Sequence, residues 1–393
     1  MERYHNIVRH AYHTVPFYQE LFDECSELDD IDLTRLPVVD KRQMVTSGRM
    51  MLSSKYIPQY MAKTLKWYRT SGSTGISYEV YWDENDEKNS LKGLWLLRWK
   101  YYGITPKHRL VYFFPSIGGC DKYRKRENSL AVSRGLLCQE DLMEVFTLIK
   151  EYKPQWMILQ PSVAVLLCDL VKQYGALDDI QYIEFTGEYL DSTVRKMVEE
   201  TFHCKTANQY GTKEVNSIAY ECPKGHMHIM SDNVYLEQVG ENLCVTSLCN
   251  HAMPFVRYCL EDRGKIIQNV RCECGRCGDV LQLYSGRSND FIKRADGRIY
   301  HAYRLMQIVQ TLNYEMGGSI LQYQIIQQDF DDFLFRIVLE NDITVNEQDW
   351  LTRRLQEDTR GALGDKCNVV VLLEEKLFAE NDVIKSKVFL SNI

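Results

Sequence analysis

The chain has 393 residues, of which 45% are hydrophobic and 11% aromatic, and its formal net charge is −7. This length predicts two domains of unequal size. The acidic charge argues against nucleic acid as the main partner, and no apolar run approaches the roughly 20 residues of a membrane span. The chain starts with an amphipathic pattern instead of a secretion signal. Its thirteen cysteines therefore predict free thiols in a reducing cytoplasm.

The hydrophobic pattern up to residue 202 predicts strands that alternate with helices, which is typical of an α/β domain. Residues 1–25 are predicted to be helical with a break at Pro16, and Asp40 is a candidate N-cap of the next helix. The other predicted elements are strands on both sides of residues 70–75, helices over 85–102, 139–152 and 191–202 and from Pro161, and strands over 109–114, 156–159 and 180–185.

The pattern changes after residue 215, where short strands, cysteine, histidine and glycine become dense, and again near residue 286. The last part has predicted helices over 300–312 and 345–361 and predicted strands over 322–327, 331–340 and 368–373. We therefore predict an α/β protein with a large N-terminal domain over residues 1–285, whose later part is β-rich. A small C-terminal α+β domain of about a hundred residues follows over residues 286–393.

Six small residues in a row form the most informative stretch, which reads Thr70, Ser71, Gly72, Ser73, Thr74 and Gly75. They cannot fill a core, but their hydroxyls, backbone N–H groups and glycines suit a loop that binds phosphate. The stretch is not a Walker A loop, because Gly75 is followed by Ile76 and Ser77 where that motif has lysine and then serine or threonine. A plain hairpin turn is the alternative interpretation.

Three later loops carry further candidate nucleotide ligands. Tyr210 can stack on a base, and Glu214 can bind Mg²⁺ through its carboxylate. Asp262, which is predicted to lie at a strand end, can hydrogen-bond to ribose hydroxyls, and Arg287 can reach phosphate or ribose. Asp290 lies at the predicted domain boundary and is a candidate hinge residue. Taken singly, each loop is equally consistent with a solvated turn or a polar linker.

Taken in this order, the motifs resemble those of the adenylate-forming superfamily, the acyl-CoA synthetases and their relatives. Residues 70–75 are similar to its phosphate loop, and residues 210–214 to its Tyr-Gly-x-x-Glu motif. The resemblance implies that Tyr210 packs on adenine, that Glu214 helps to bind Mg²⁺ and that Asp290 is the hinge of a mobile C-terminal domain. The nucleotide-binding candidates that follow from it are residues 70–75, Glu188, Tyr210, Gly211, Thr212, Asp262 and Arg287.

More narrowly, the chain resembles the phenylacetate–CoA ligase branch and its relatives in capsular polysaccharide biosynthesis. Its short length and its segments 10–18, 36–41 and 160–162 fit that branch. The resemblance implies ATP and Mg²⁺ as cofactors and a small carboxylic acid as substrate, which is activated to an acyl-adenylate. Coenzyme A, a carrier protein, or an amine or hydroxyl compound then accepts the acyl group. The sequence leaves open the acid, the acceptor and whether the chain is a monomer or a homodimer.

The substrate pocket is less well defined by the sequence. Tyr189, Tyr210 and the turn at 160–162 are candidates for its lining. Glu188 is placed by the motif Thr-Gly-Glu to face either the nucleotide or a substrate amine. A polar pocket would favour an amino or hydroxy acid over an aryl acid.

The family's C-terminal domain ends with a lysine that reaches the carboxylate and the α-phosphate during adenylation. Aligning the closing apolar run and Ser391 places Lys385 at this position, with Lys387 as the alternative. Lys385, Glu214 and Arg287 form the predicted catalytic set. Because Ile384 stands where the family has glycine, a catalytically degenerate nucleotide-binding module of the same fold is the alternative function.

Cysteines and histidines cluster in two short segments about fifty residues apart. The candidates are Cys222, His226 and His228 in the first segment and Cys272, Cys274 and Cys277 in the second. Thiolates and imidazoles at such spacing suit tetrahedral Zn²⁺. The phenylacetate–CoA ligase branch pairs a Cys-x5-His with a Cys-x-Cys, and the ligands that this resemblance implies are Cys222, His228, Cys272 and Cys274. Four protein ligands close the coordination shell, so the resemblance implies a structural zinc.

Overall fold

The structure is a computed structural model, and it describes residues 2–22, 36–70, 78–114, 122–133, 139–284, 291–316, 319–340, 343–375, 377 and 389–393. The chain divides into two units. The first comprises residues 1–70, 77–110 and 154–285, and the second includes residues 111–153 and 286–393. The predicted division into domains at residues 285 and 286 stays a prediction.

The helices of the described residues agree closely with the predicted ones. Their bounds are α1 (Glu2–Thr14), α2 (Pro16–Leu21), α3 (Lys41–Ser47), α4 (Ile57–Met61), α5 (Glu84–Tyr102), α6 (Gln139–Tyr152), α7 (Pro161–Tyr174), α8 (Ser192–Phe202), α9 (Tyr303–Glu315) and α10 (Val345–Leu363). Asp40 caps α3 as predicted, because its carboxylate accepts a hydrogen bond from the Gln43 N–H at 2.8 Å. None of these helices is long and apolar enough to cross a membrane.

The strands of the first unit include nearly all of the predicted ones, and the region after residue 215 is β-rich as expected. Their bounds are β1 (Lys66–Arg69), β2 (Glu79–Trp82), β3 (Leu110–Phe114, of which only Leu110 belongs to the first unit), β6 (Trp156–Leu159), β7 (Tyr182–Thr186), β8 (Lys205–Thr212), β9 (Asn216–Glu221), β10 (Met227–Ile229), β11 (Val234–Val239), β12 (Asn242–Ser247), β13 (Tyr258–Arg271) and β14 (Cys277–Leu283). The strands of the second unit are β4 (Tyr123–Arg126), β5 (Ser129–Ser133), β15 (Phe291–Lys293), β16 (Ile299–His301), β17 (Ile320–Asp329), β18 (Asp332–Leu339), β19 (Asn368–Leu373) and β20 (Phe389–Ser391).

The sheet of the first unit changes from antiparallel to parallel along its width. Neighbouring strands follow the order β11-β12-β13-β14-β10-β9-β8-β7-β6. β6, β7 and β8 run parallel, with Leu159 opposite Phe185 and Thr186 opposite Gln209. The other neighbours in this series are antiparallel. Because β6, β7 and β8 are parallel and α7 and α8 connect them, their carboxyl ends share one edge of the sheet.

Two buried cores position this sheet. One core packs α1 and α2 against the antiparallel strands, and the fully buried Tyr18 accepts a hydrogen bond there from the Val256 N–H at 2.9 Å. The other core packs α5 against β7 and β9. There Arg98 donates to both carboxylate oxygens of Glu184, with Nε 2.8 Å from Oε2, and its guanidinium contacts the rings of Trp95 and Trp156.

In the second unit a four-stranded sheet has the order β19-β18-β17-β20. Its core is formed by apolar residues of α9 and α10, such as Leu305 and Leu351, against strand residues such as Phe335. The sequence did not predict the hairpin of β4 and β5, nor the short strands β15, β16 and β20. β4 reads Tyr-Arg-Lys-Arg with every side chain exposed, so it lacks the alternation of apolar and polar residues that identifies a strand.

Candidate functional site

The carboxyl edge of β6, β7 and β8 brings several predicted site residues together. Gln160 follows β6, Glu188 lies in the turn after β7, and Tyr210 to Thr212 end β8. The Gln160 side chain approaches the Gly187 backbone, since a Cβ on Gly187 would meet its Nε2 at 3.8 Å. Open α/β sheets bind their ligands at this edge.

Two buried polar atoms at this edge have no hydrogen-bond partner among the described residues. They are Oε1 of Gln160 and Oγ1 of Thr212. Buried polar atoms in folded proteins are almost always hydrogen-bonded, because leaving one unpaired costs free energy. The two atoms are therefore consistent with an edge that receives a polar ligand.

Gly211 occupies a position in β8 that only glycine can fill. The register between β8 and β9 shifts between Tyr210 and Gly211, which marks a β-bulge. A Cβ on Gly211 would lie 2.2 Å from the carbonyl oxygen of Asn216, far inside van der Waals contact. The glycine of the predicted motif is thus required by close packing of two backbones.

Tyr210 and Asp262 are brought together although they are 52 residues apart. The Tyr210 hydroxyl donates a hydrogen bond to Oδ2 of Asp262 at 2.7 Å. Burial and the neighbouring Asp262 carboxylate raise the pKa of Tyr210 well above its ordinary value, so the hydroxyl stays protonated as a donor. The prediction that Asp262 lies at a strand end is wrong, because β13 runs on to Arg271.

Glu214 lies with Tyr78 and Tyr258 in a buried group that we call the Glu214 cluster. Its oxygen Oε1 accepts hydrogen bonds from the Tyr78 hydroxyl at 2.7 Å and from the Tyr258 hydroxyl at 3.4 Å. Glu214 is 6% exposed, Tyr78 is 8% exposed and Tyr258 is 4% exposed. Burial, and then the Glu214 charge, raise the pKa of both tyrosines, which keeps them as donors.

Neither Tyr78 nor Tyr258 was predicted as a site residue. The sequence signal for Tyr78 is its place directly after the small-residue stretch, and for Tyr258 its place four residues before Asp262. Thr70, the first residue of the stretch, is buried. Several predicted residues lie outside the described residues, and these are Ser71, Gly72, Ser73, Thr74, Gly75, Arg287, Asp290, Lys385 and Lys387.

Cys222, His228, Cys272 and Cys274 form a second group, the Cys/His cluster, whose donor atoms all lie within 4.8 Å of one another. Sγ of Cys222 is 3.8 Å from Sγ of Cys272, and Sγ of Cys274 is 3.4 Å from Nε2 of His228. A disulfide would bring two sulfurs to about 2.05 Å. Thiolates bound tetrahedrally to zinc at about 2.3 Å lie about 3.8 Å apart, so the observed spacing fits a metal.

Two similar turns present these ligands. The Cys222 carbonyl accepts from the Gly225 N–H at 2.9 Å, and the Cys272 carbonyl accepts from the Gly275 N–H at 3.0 Å. Both glycines have positive φ, 76° and 87°, which a residue with a side chain rarely adopts. The folded chain brings the two turns together, since Sγ of Cys222 and Sγ of Cys272 are 3.8 Å apart.

The protonation states suit a metal site. Burial, and then the charge of Arg276, lower the pKa of His228 to about 4, so its imidazole is neutral at pH 7. Burial raises the pKa of Cys274, but the Arg276 N–H, the Tyr101 hydroxyl and the neighbouring thiols outweigh it and lower the value overall. The reserve candidates lie outside the cluster. Cys277 is exposed. Nδ1 of His226 lies 3.4 Å from Sγ of Cys272, but His226 is not among the four residues whose donor atoms group together.

Comparison with known proteins was made by sequence and by structure. No protein-family model matches the chain. The phenylacetate–coenzyme A ligase of Thermus thermophilus is 23% identical over 329 residues, which are 74% of this chain and 70% of the relative. The chain is therefore similar to enzymes of the adenylate-forming type. It is also 22% identical over 267 residues to the indoleacetate–lysine synthetase of Pseudomonas savastanoi, covering 64% of this chain and 62% of that protein.

The fold of the chain is similar to that of a solved CoA ligase. A crystal structure of 2-hydroxyisobutyryl-CoA ligase, in complex with 2-HIB-AMP and CoA, superposes with a TM-score of 0.64 at 18% identity. The match covers 100% of this chain and 89% of that one. The predicted superfamily, the α/β fold class and the class of enzyme are thus confirmed. The link to capsular polysaccharide biosynthesis stays a prediction.

Proposed function

We propose that the chain uses ATP to convert a carboxylic acid into an acyl-adenylate with release of pyrophosphate. The acyl group then passes to the thiol of coenzyme A with release of AMP. The observation that carries the proposal is the Glu214 cluster beside the paired Tyr210 and Asp262, in a chain related to phenylacetate–CoA ligases. Relatives and neighbours named as CoA ligases support the acceptor. The acid itself, and a role in polysaccharide or secondary-metabolite biosynthesis, stay predictions.

The described residues can take the following roles in this reaction. Asp262 accepts hydrogen bonds from the ribose, and its contact with Tyr210 holds its carboxylate in place. The Tyr210 ring offers a surface for adenine. Glu214 provides the oxygen ligands that a hard cation prefers, and the Mg²⁺ bound there with ATP neutralises phosphate charge. The catalytic role of Lys385, the role of Arg287 in binding and the hinge at Asp290 belong to this proposal as predictions.

The Cys/His cluster is proposed to hold a structural zinc. Three thiols and one neutral imidazole are a common donor set for structural zinc, and four protein ligands leave no position for substrate. Its ligands come from turns that contain none of the proposed nucleotide-binding residues. We infer that the metal joins two hairpins of the sheet and takes no part in acyl transfer.

A pyrophosphate-release assay with ATP and Mg²⁺ over aryl, fatty, amino and hydroxy acids tests the proposed function. We expect one class of acid to give a signal, and Glu214→Gln to lower kcat/KM at least about 100-fold, since charge-stabilising groups typically contribute that much. Coenzyme A should then yield the thioester. Lys385→Ala and Lys387→Ala, run side by side, identify the catalytic lysine.

Each other result of this assay has a defined meaning. ATP binding without pyrophosphate release for any acid would contradict the proposal and indicate the catalytically degenerate module. Release of pyrophosphate without thioester formation would retain the first half-reaction and overturn coenzyme A as acceptor. In that case an amine or a carrier protein would be supplied instead.

A further inference from the structure

We propose that Tyr78 is a positioning residue, which orients the Glu214 carboxylate for the cation that accompanies ATP. The inference rests on the proposed function, in which Glu214 binds that cation. It adds a residue that lies outside every motif quoted above and that approaches Glu214 from 136 positions away in the sequence. The evidence comes from the contacts of three buried side chains and from the way their backbones are held.

The contact between Tyr78 and Glu214 is short and shielded from solvent. The hydroxyl donates to Oε1 at 2.7 Å, and both side chains are less than 9% exposed. Hydrogen bonds to an ionised acceptor are shorter and stronger than those between neutral groups, and burial strengthens them further. The contact therefore holds the carboxylate in one orientation instead of leaving it free to rotate.

The backbone of Tyr78 is itself tied to Thr70. The Thr70 N–H donates to the Tyr78 carbonyl at 2.9 Å, and the Tyr78 N–H donates to Oγ1 of Thr70 at 3.1 Å. Thr70 is the first residue of the stretch that the sequence identifies as the phosphate loop, and Tyr78 follows that stretch. A shift of Thr70 and Tyr78 on ATP binding would move the Tyr78 hydroxyl and, with it, the Glu214 carboxylate.

Tyr258 contacts the same oxygen of the carboxylate. Its hydroxyl lies 3.4 Å from Oε1 of Glu214 and 3.3 Å from the Tyr78 hydroxyl. Its backbone is held by Val39, whose N–H donates to the Arg257 carbonyl at 3.0 Å and whose carbonyl accepts from the Cys259 N–H at 2.8 Å. Because its contact is longer, we expect removal of the Tyr258 hydroxyl to have the smaller effect.

Binding of Mn²⁺ to the full-length protein, with a non-hydrolysable ATP analogue present, tests this inference without relying on turnover. Free Mn²⁺ is measured by electron paramagnetic resonance. Removing a group that orients a metal ligand typically weakens metal binding 10- to 100-fold, and we expect Tyr78→Phe to fall in that range. Tyr81→Phe is the matched control, because the Tyr81 hydroxyl bonds to Glu79, outside the cluster. It should bind Mn²⁺ as the unchanged protein does.

A second readout separates positioning from folding. If Tyr78 positions the carboxylate, saturating Mg²⁺ should restore much of the pyrophosphate release that Y78F loses, whereas a folding defect would not respond to the cation. Should Y78F fail to fold by circular dichroism, Tyr78→Met also lacks the hydroxyl, and the same loss is expected.

Glu214→Gln makes the two possible failures distinguishable. If E214Q binds Mn²⁺ as tightly as the unchanged protein, Glu214 is not the cation ligand, and both its proposed role and this inference are overturned. If E214Q binds weakly while Y78F binds normally, the proposed function stands and only the role of Tyr78 is overturned. Weak binding by both variants, with Y81F unaffected, supports the inference.

Discussion

The Cys/His cluster and the Glu214 cluster are built in different ways from the same sheet. In the Cys/His cluster, two short turns and strand β10 supply the four donors, and each turn is shaped by its own cysteine and glycine. In the Glu214 cluster, the two tyrosines reach the carboxylate from 136 and 44 positions away. The first arrangement consists of two halves that lie 50 residues apart, each with ligand spacing written into local sequence. No local spacing marks the two tyrosines of the second arrangement.

This difference decides which functional residues a sequence can reveal. A Cys-x-Cys or a Tyr-Gly-x-x-Glu motif has fixed spacing, so its ligands can be named in advance. Tyr78 and Tyr258 have no fixed spacing to Glu214, and with 25 tyrosines in the chain none stands out as its partner. The structure adds such long-range support residues. Variants can test each kind of site, and the expected effects differ in size.

Loss of metal from the Cys/His cluster should have the largest effect. Structural zinc sites in small domains contribute about 10 kcal/mol or more of folding free energy at pH 7. We expect one zinc per chain by metal analysis, and we expect Cys274→Ser to lose it with a fall in Tm of about 10 °C or more. Cys277→Ser is the control, since this exposed thiol lies outside the cluster. A zinc content that C277S loses and C274S keeps would refute the assigned ligands.

The buried pair of Arg98 and Glu184 joins helix α5 to strand β7. Glu184 also accepts a hydrogen bond from Tyr220 of β9, the strand that leads to Cys222. Arg98→Met would leave the Glu184 charge buried and unpaired, which should lower the free energy of unfolding by about 3–5 kcal/mol in urea. Replacing both residues, as R98M with E184L, should recover much of this loss. Lys88→Met is the control on the same helix, because its pair with Glu84 is exposed and should contribute below about 1 kcal/mol. A double variant no more stable than R98M would contradict the account.

Gly211→Ala tests the backbone that leads from β8 to the Glu214 cluster. The added Cβ would meet the Asn216 carbonyl at 2.2 Å, so strands β8 and β9 must separate locally. We expect a loss of about 1–3 kcal/mol in stability together with weaker ATP binding. Gly361→Ala is the control in α10, where a Cβ meets nothing within 4 Å and helix propensity should raise stability by up to about 1 kcal/mol. Equal effects of the two substitutions would show that the bulge has no special role.

A histidine outside both clusters should give the smallest effect, through pH. Nδ1 of His251 lies 3.0 Å from Oδ2 of Asp86, and this hydrogen bond raises the His251 pKa against the opposing effect of burial. The raised pKa means that the stabilisation is complete below about pH 6.5, the ordinary histidine pKa, and is lost as pH rises through the folded value. The His251 side chain is 41% exposed, so solvent screening keeps the effect small.

Asp86→Asn isolates this contribution. The difference in unfolding free energy between the unchanged protein and D86N should shrink from pH 5.5 to pH 8.5. The neighbouring His10, whose pKa burial lowers, is present in both proteins and therefore largely cancels from the difference. A difference that stays constant across this range would show that the pair does not titrate.

The sequence predicted most of the fold because most elements carry local signals. α5 and α7 begin at residues with clear starting signals, the Asp83 cap and Pro161, and their apolar residues recur at helical spacing. β4 is the counterexample, since four exposed residues give no pattern. The extent of β13 was likewise missed, because Glu261 and Asp262 look like a turn, and Glu261 does have a positive φ of 60° inside a strand that continues.

The two cysteine turns also affect how the chain reaches its folded state. A metal that joins Cys222 to Cys272 would close a loop of 50 residues, much as a covalent cross-link does. By the chain-entropy estimate for cross-links, closing such a loop removes unfolded-state freedom worth roughly 4 kcal/mol. The enclosed residues form β10 to β13, of which β11, β12 and β13 are antiparallel neighbours in the sheet. Early metal capture would therefore shorten the search for the pairing of β10 with β14, whose contacting residues are otherwise far apart in the unfolded chain.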